Sequence, residues 1–173
     1  MNKAVFLDRD GVINHAPIVG NKAFSPRKLK EVKILPKVKE AIHILKKKNF
    51  FVIEVTNQPD ISRGLLETAD LEEMNNYLKS ELEIDDILMC LHDDIHSCNC
   101  RKPKPGLLLQ AKEKWDIDFA QSYLVGDRWR DIEAGKAVGC KTILIESSAN
   151  GVCEPDYVAD SLYKIIDLIS PNA

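Results

Sequence analysis

Val5-Phe6-Leu7-Asp8-Arg9-Asp10-Gly11-Val12 lies almost at the amino terminus, and the rest of the chain is interpreted from it. The apolar run before Asp8 predicts a buried strand, with two carboxylates at its carboxyl end. Residues two apart in an extended chain face the same side, so Asp8 and Asp10 are predicted to converge while Arg9 points away. Gly11 permits the sharp turn that follows. Ligands bind at the carboxyl ends of strands in open α/β sheets, so the pair marks a candidate site. A solvated acidic turn would leave the same short motif.

Composition is that of an ordinary soluble globular protein, with 45% hydrophobic and 29% charged residues among 173. This length predicts one domain over residues 1–173. The net charge of −3 gives no reason to expect nucleic acid or an anionic membrane as partner. No apolar stretch approaches the roughly 20 residues that span a bilayer, and residues 1–7 are too short for a signal peptide. We expect a cytoplasmic monomer without an obligate protein partner.

Predicted strands and helices alternate along the chain, which indicates an α/β fold. We expect a single Rossmann-like domain, with a mainly parallel sheet of five or more strands, helices on both faces and a zinc-pinned loop. The predicted strands after the first are Phe50 to Val55, Ile84 to Cys90, Ser122 to Val125 and Thr142 to Ile145. Helices are predicted after Pro36, around Leu71 to Leu82, from Leu108 to Trp115, from Asp131 to Gly139 and from Leu162 to Ile169.

The connection from Asn14 to Val32 is long for a compact domain and mixes turn-forming residues with a basic run. Connections of this length are usually functional or mobile. We interpret it as a flap beside the end of the first strand. A plain surface excursion is the alternative.

Two close pairs of metal-binding residue types lie in the middle of the chain, Cys90-Leu91-His92 and Cys98-Asn99-Cys100. Three cysteines and one histidine match a closed tetrahedral zinc site, which would be structural because it leaves no position for substrate. In a reducing compartment, clustered cysteines favour metal over disulfide. A set of reduced thiols is the alternative, and His96 could substitute as a ligand although it breaks the paired pattern.

Polar side chains follow several of the predicted strands, and parallel strand ends meet at one edge of a sheet. The groups expected around one pocket are Asp8 and Asp10, Thr56 and Asn57, Arg101 and Lys102, and Asp127. Carboxylates beside hydroxyl, amide and ammonium groups suit phosphoryl transfer to an aspartate. Mg²⁺ prefers oxygen ligands, and on Asp8 and Asp127 it would offset the repulsion of phosphate. Asp131 begins a helix, where a carboxylate is favourable anyway, so we expect a structural role for it.

These residues resemble, in their order along the chain, the haloacid dehalogenase (HAD) superfamily of phosphatases. The matching motifs are Asp8-x-Asp10-Gly-Val, Thr56-Asn57, Lys102 and Gly126-Asp127-x-x-x-Asp131. With Thr56-Asn57-Gln58, Ser62-Arg63-Gly64, the Cys/His cluster and Arg101-Lys102-Pro103, the chain looks like the heptose bisphosphate phosphatase family. The match spans residues 4 to about 146. It implies a capless phosphatase that cleaves the 7-phosphate of D-glycero-D-manno-heptose 1,7-bisphosphate, in lipopolysaccharide precursor biosynthesis.

The resemblance also implies a role for each matching residue. Asp8 would be the nucleophile and Asp10 the general acid/base, with Thr56 and Lys102 binding the transferring phosphoryl group and Arg101 assisting recognition. Mg²⁺ would sit on Asp8, the backbone of Asp10 and Asp127, and Zn²⁺ on Cys90, His92, Cys98 and Cys100.

Charge around the predicted site suggests a second anion on the substrate. One phosphate at Asp8 needs Mg²⁺ and Lys102, which leaves Arg63, Arg101 and Arg128 free for another, beside Asn57. Arginine can bind phosphate in a bidentate manner. We expect Lys104 and Arg130 to form solvated ion pairs instead.

Some positions depart from the family, and alternatives stay open. The gap between His92 and Cys98 is short, Pro59-Asp60 replaces the usual Ser-Gly, and Arg128 stands where lysine is common. Histidinol-phosphate phosphatases share the zinc cluster, although Ser62-Arg63-Gly64 looks like the heptose type. A phospho-accepting receiver domain is an alternative of another class, against which Asp10 argues because a general acid/base serves turnover. The intact residue set argues against a catalytically silent binding protein.

Overall fold

A six-stranded parallel sheet forms the centre of the molecule in the computed structural model, which describes residues 1–169. The sheet strands are β1 (Ala4–Leu7), β4 (Phe51–Asn57), β5 (Asp86–Cys90), β6 (Tyr123–Gly126), β7 (Lys141–Ile145) and β8 (Tyr157–Ala159). Their order is β5-β4-β1-β6-β7-β8, and every neighbouring pair is parallel. The first strand therefore lies inside the sheet, between β4 and β6, and its carboxyl end lies between the carboxyl ends of those two strands.

Four helices cover the sheet, as the alternation predicts. They are α1 (Val38–Lys47), α2 (Thr68–Glu81), α3 (Gly106–Trp115) and α4 (Trp129–Val138). Val5 and Leu7 of β1 pack in one core with α1, whereas Ala4 and Phe6 pack in a second core with α3. All four side chains are fully buried, because a strand covered on both faces has no solvated side. The predicted α/β fold with helices on both faces is confirmed.

The helix predicted from Leu162 to Ile169 is present only as a shorter 3₁₀ helix, Tyr163–Asp167. Its apolar residues Leu162, Ile165 and Ile169 reach the core beside α1 at spacings of three and four, which a single tight turn satisfies as well as an α-helix. Strand β8 was not predicted, because Tyr157 and Val158 at the sheet edge are exposed and lack the apolar pattern of a core strand.

The segment from Asn14 to Val32 forms a small excursion beside the carboxyl end of β1, and we keep the name flap for it. It contains the two-stranded hairpin of β2 (Ile18–Val19) and β3 (Lys22–Ala23) and the 3₁₀ helix Leu29–Glu31. Its base is held to the adjoining chain by backbone hydrogen bonds, from His15 to Lys33 and from Leu35 to Ile13.

No helix among residues 1–169 combines the length and apolar character needed to cross a membrane.

Candidate active site

A cavity of about 560 Å³ opens at the carboxyl ends of β1, β4 and β6. Its floor is acidic, and flap residues and arginines form its walls. Predicted residues among its lining are Asp8, Asp10, Asn57, Arg63, Arg101, Lys102, Asp127 and Arg128, joined by Asp131, Gln58 and the flap residues Phe24, Ser25 and Arg27. The strand ends therefore gather the predicted side chains at one edge of the sheet. Thr56 lies buried beneath them and accepts a hydrogen bond from Gln58 Nε2 at 3.0 Å.

The turn after β1 brings the two aspartates into the cavity. Gly11 has φ +87°, and a Cβ there would lie 2.2 Å from Asp127 Oδ2. Neither the turn nor the close approach of Asp127 therefore allows a side chain. Arg9 points away from the two aspartates as predicted, and it is buried in the interior and paired with Glu54 of β4. The buried pair fixes the backbone between the two aspartates.

Lys102 joins three elements through its ammonium group. Nζ donates to Asp8 Oδ1 at 2.8 Å, to Asp131 Oδ1 at 2.6 Å and to the carbonyl of Val55 at 2.7 Å. Burial opposes the charge of Lys102, but the carboxylates of Asp131 and Asp8 prevail and raise its pKa. The lysine is thus held charged beside Asp8.

Asn57 positions the backbone of that lysine. Its Nδ2 donates to the carbonyl of Lys102, and its Oδ1 accepts from the N–H of Lys102, both at 3.1 Å. The amide that we predict to bind substrate is therefore engaged in a reciprocal contact between β4 and the loop before α3.

Asp131 belongs to the site, which the sequence interpretation missed. Its Oδ2 accepts from the backbone N–H of Arg128 at 3.1 Å, the expected helix-start role, while Oδ1 receives Lys102. A Cβ on Gly126 would lie 2.2 Å from Asp131 Cβ, so the glycine allows this approach. The signal was the Gly126-Asp127-x-x-x-Asp131 motif, which places two aspartates four residues apart just after a strand.

Asp8, Asp127 and Asp131 each place one carboxylate oxygen within 4.8 Å of the others. Burial and then the charge of Asp8 raise the pKa of Asp127 to about 8 and that of Asp131 to about 6. Asp127 Oδ1 is buried and has no hydrogen-bond partner among residues 1–169. A buried, unpaired carboxylate oxygen beside two further carboxylates fits a hard divalent cation such as Mg²⁺.

Asp10 is held by three side chains. Its Oδ1 accepts from Asn14 Nδ2 at 3.0 Å, and its Oδ2 accepts from Ser25 Oγ at 2.7 Å and from Gln58 Nε2 at 3.2 Å. Burial and then the charge of Asp8 raise the pKa of Asp10. A carboxyl group that retains its proton to higher pH suits proton donation.

The arginines of the cavity wall are largely paired, contrary to our expectation that Arg63 and Arg101 are free. Arg63 binds both carboxylate oxygens of Asp93, and Arg101 Nε lies 2.8 Å from Asp94 Oδ1. Arg130 joins Asp94 at 3.0 Å, an ion pair of the kind that we predicted for it. Lys104 instead donates to the carbonyl of Cys98. Arg128 forms no ion pair within residues 1–169.

The Cys/His cluster assembles as predicted, at the end of β5. Cys90 Sγ lies 3.8 Å from Cys98 Sγ and 3.0 Å from Cys100 Sγ, and His92 Nδ1 lies 3.4 Å from Cys90 Sγ and 3.3 Å from Cys100 Sγ. Tetrahedral zinc with bonds of about 2.3 Å to sulfur separates its ligands by roughly 3.8 Å. The four side chains could therefore hold a zinc ion, while His96 lies outside the group.

Three comparisons with known proteins agree on the family of this chain. A family model described as HAD-hydrolase-like matches residues 99–165. D-glycero-alpha-D-manno-heptose-1,7-bisphosphate 7-phosphatase from Campylobacter jejuni is 33% identical over 148 residues, which cover 83% of this chain and 81% of that protein. D-glycero-beta-D-manno-heptose-1,7-bisphosphate 7-phosphatase from Helicobacter pylori is 34% identical over 150 residues, which cover 83% of this chain and 83% of that protein. The solved D,D-heptose 1,7-bisphosphate phosphatase from B. bronchiseptica, complexed with magnesium and phosphate, superposes with a TM-score of 0.84 at 30% identity over 99% of both chains.

Proposed function

This chain belongs to the D-glycero-D-manno-heptose-1,7-bisphosphate 7-phosphatase family of HAD-like hydrolases, and we propose that it removes the 7-phosphate of that heptose bisphosphate. It is a phosphatase. The observation that carries the assignment to this site is the charged Lys102 between Asp8 and Asp131, with Asp10 on the same cavity. The nucleophile Asp8, the ammonium group of Lys102 and the acid Asp10 then surround one position for a phosphoryl group.

In the first proposed step, a carboxylate oxygen of Asp8 attacks phosphorus and the bond from phosphorus to the sugar oxygen breaks. Asp10 donates its proton to that oxygen, so the sugar leaves as an alcohol. Lys102 keeps positive charge beside the nucleophile, where negative charge gathers on the transferring group. Thr56, the last but one residue of β4 and buried beneath the cavity, is our candidate for a hydroxyl contact to the same group.

In the second step, water attacks the phosphorus of the aspartyl phosphate. Asp10, now a carboxylate, takes the proton of the water, and the bond between phosphorus and Asp8 breaks. Phosphate leaves, and both aspartates return to their starting states. This recovery of the proton is what distinguishes the proposal from a receiver domain, which keeps its phosphoryl group.

We propose that Asp8, the Asp10 backbone and Asp127 hold Mg²⁺, with the unpaired Oδ1 of Asp127 as the strongest support. Bound there, the ion would offset the charge of the phosphate against the carboxylates. Gly11 keeps space for Asp127, and Asp131 holds Lys102 in place.

We propose a structural zinc on Cys90, His92, Cys98 and Cys100. Burial and then the neighbouring Cys100 raise the pKa of the Cys90 thiol to about 12, a cost that a bound cation would remove. The last ligand directly precedes Arg101 and Lys102, so the cluster would anchor the loop that carries the catalytic lysine. Reduced thiols in this role agree with a cytoplasmic location, which we also propose.

We assign the second phosphate of the substrate to the arginines of the cavity wall. Arg63, Arg101 and Arg128 line the cavity with Asn57 below them, and an incoming phosphate would share or displace Asp93 and Asp94. Relatives named for the alpha and the beta anomer are similarly distant, so the proposal covers the heptose without its anomer. We propose that residues 1–173 act as a single capless domain and as a monomer.

The test is a phosphate-release assay with Asp8→Asn as the control variant. Wild-type protein with Mg²⁺ should hydrolyse heptose 1,7-bisphosphate with higher kcat/KM than the corresponding 7-monophosphate or histidinol phosphate. Asp8→Asn should lower the rate at least about a thousandfold without unfolding the protein, because an amide is a poor nucleophile. Preference for histidinol phosphate would overturn the substrate, and Asp8→Asn with a tenth of wild-type activity would overturn the covalent mechanism.

A further inference from the structure

Asp10 receives one of its three hydrogen bonds from the flap beyond the hairpin of β2 and β3. Asn14, the first residue of the flap, follows Asp10 on the same turn, and Gln58 follows β4 directly. Ser25 instead lies just after the hairpin strand β3. Beyond its first residue, the flap therefore contacts the proposed proton donor through one hydroxyl group.

The Ser25 contact is the shortest of the three. Its Oγ lies 2.7 Å from Asp10 Oδ2, against 3.0 Å for Asn14 and 3.2 Å for Gln58. Hydroxyl donors to a carboxylate at this distance are among the strong hydrogen bonds of proteins. Gln58 also divides its Nε2 between Asp10 and Thr56, so it holds the aspartate less exclusively.

The hydroxyl of Ser25 differs chemically from the two amides. Asn14 and Gln58 can only donate through their NH₂ groups, whereas a hydroxyl can donate or accept. It can thus remain bonded to Asp10 when the carboxyl group carries a proton and when it does not. The general acid/base passes through both states in each turnover of the proposed reaction.

The flap is tied so that Ser25 stays at this place. Arg27 Nε lies 2.8 Å from Asp60 Oδ2 in the loop after β4, and the backbone N–H of Phe24 donates to Pro17 within the flap. Phe24 and Ser25 both line the cavity. Contacts of the residues just before and just after Ser25 therefore hold the serine in place.

We infer that Ser25 is a positioning residue, which fixes the orientation of the Asp10 carboxyl group for proton transfer to the leaving oxygen. The inference rests on the proposed function, because it takes Asp10 as the general acid. It makes the flap part of the catalytic apparatus in addition to a wall of the cavity.

The experiment compares two aryl esters that differ in their need for an acid. Phenyl phosphate releases a phenolate as basic as that of tyrosine, with a pKa of about 10, whereas 2,4-dinitrophenyl phosphate releases a weakly basic anion that needs no proton. Neither ester carries a sugar or a second anion. Values of kcat/KM report the step that forms the aspartyl phosphate.

Ser25→Ala should lower kcat/KM for phenyl phosphate about tenfold, which corresponds to the loss of one good hydrogen bond. The same variant should lower kcat/KM for 2,4-dinitrophenyl phosphate less than about twofold. Ser25→Thr keeps a hydroxyl and should restore most of the loss. Ser80→Ala is the matched control, because its hydroxyl donates to the Tyr77 carbonyl within α2 and neither residue lines the cavity, and it should affect neither ester.

A double variant identifies the route of the effect. If Ser25 acts through Asp10, adding Ser25→Ala to Asp10→Asn causes no further loss on phenyl phosphate. Equal losses on both esters, or a further loss in the Asp10→Asn background, would overturn the inference. Retained activity of Asp8→Asn on 2,4-dinitrophenyl phosphate would instead overturn the proposed function, so the two failures are distinguishable.

Discussion

At the scale of the residue, Lys102 compensates two buried carboxylates at once. Its side chain is 4% exposed, and those of Asp8 and Asp131 are 12% and 2% exposed. Replacing it by methionine keeps the volume of the side chain but leaves both acids without their cation. Removing one partner of a buried ion pair typically costs about 3–5 kcal/mol.

We therefore predict that Lys102→Met lowers the free energy of unfolding by roughly 3 kcal/mol and the phosphatase rate at least about a hundredfold. Urea unfolding and phosphate release measure the two effects. Lys104→Met is the control, because its ammonium group is exposed and donates to one carbonyl only. An active Lys102→Met enzyme would remove the lysine from the mechanism.

The residue scale also shows what the sequence could predict. Asp8 and Asp10 follow from the two-residue period of a strand, which needs no knowledge of the rest of the fold. Asp93 and Asp94 carry no such signal: they bind Arg63, Arg101 and Arg130 only because the loop after β5 folds over the cavity. Partners of long, flexible side chains depend on tertiary structure, so they could not be read from local pattern.

At the scale of the element, the loop from Cys90 to Lys102 is the one most dependent on its cluster. Between His92 and Cys98 its side chains are mostly exposed, with Ile95 88% exposed, so little apolar burial holds it. The proposed zinc would supply the missing stabilisation, since metal binding energy becomes folding energy.

Cys98→Ser should accordingly abolish stoichiometric zinc and reduce activity indirectly, by about tenfold or more, as the position of Lys102 loosens. Zinc is measured by elemental analysis of protein purified without chelator, and activity by phosphate release. Cys153→Ser is the matched control, a free thiol outside the cluster. Wild-type protein without zinc, or full activity in Cys98→Ser, would contradict this role.

Elements with buried apolar residues were predictable, and the exposed edge strand β8 was not. The four helices, the four inner strands and the edge strand β5 carry apolar residues that the core selects, so their periodicity appears in the sequence. Strand β8 is held by hydrogen bonds to β7 with two of its three residues exposed, and pairing of this kind leaves little trace in composition. Strand β4 ends at Asn57, two residues beyond the predicted Val55, because its pairing with β5 continues as far as the site.

At the scale of the whole molecule, alternation predicted a parallel sheet but not its order. The order places β1 between β4 and β6, which brings Asp8, Lys102 and Asp127 together from three distant parts of the chain. The cost is a cluster of buried carboxylates, which links the stability of the entire fold to pH and to a divalent cation.

The sign of that linkage follows from the raised pKa values. Asp127, with a pKa of about 8, and Asp131, with a pKa of about 6, keep their protons in the folded state at pH values where the unfolded chain, with a pKa of 3.8, has lost them. The folded state then binds more protons, so these two groups make the metal-free protein less stable as pH rises from about 4 to 8. Mg²⁺ requires the ionised carboxylates, so it competes with those protons.

Ligands that bind only the folded state stabilise it, so we predict that Mg²⁺ raises the midpoint of thermal unfolding more at pH 8 than at pH 5.5. The expected increase is at least about 4 °C at pH 8 and about 1 °C at pH 5.5. Differential scanning calorimetry with and without Mg²⁺ measures both values. Asp127→Asn should lose most of the Mg²⁺ response and flatten the pH dependence of the metal-free protein, because the amide neither titrates nor binds the ion well. Other titrating groups are common to both proteins and cancel in the comparison. An equal Mg²⁺ effect at the two pH values would show that the ion binds away from these carboxylates.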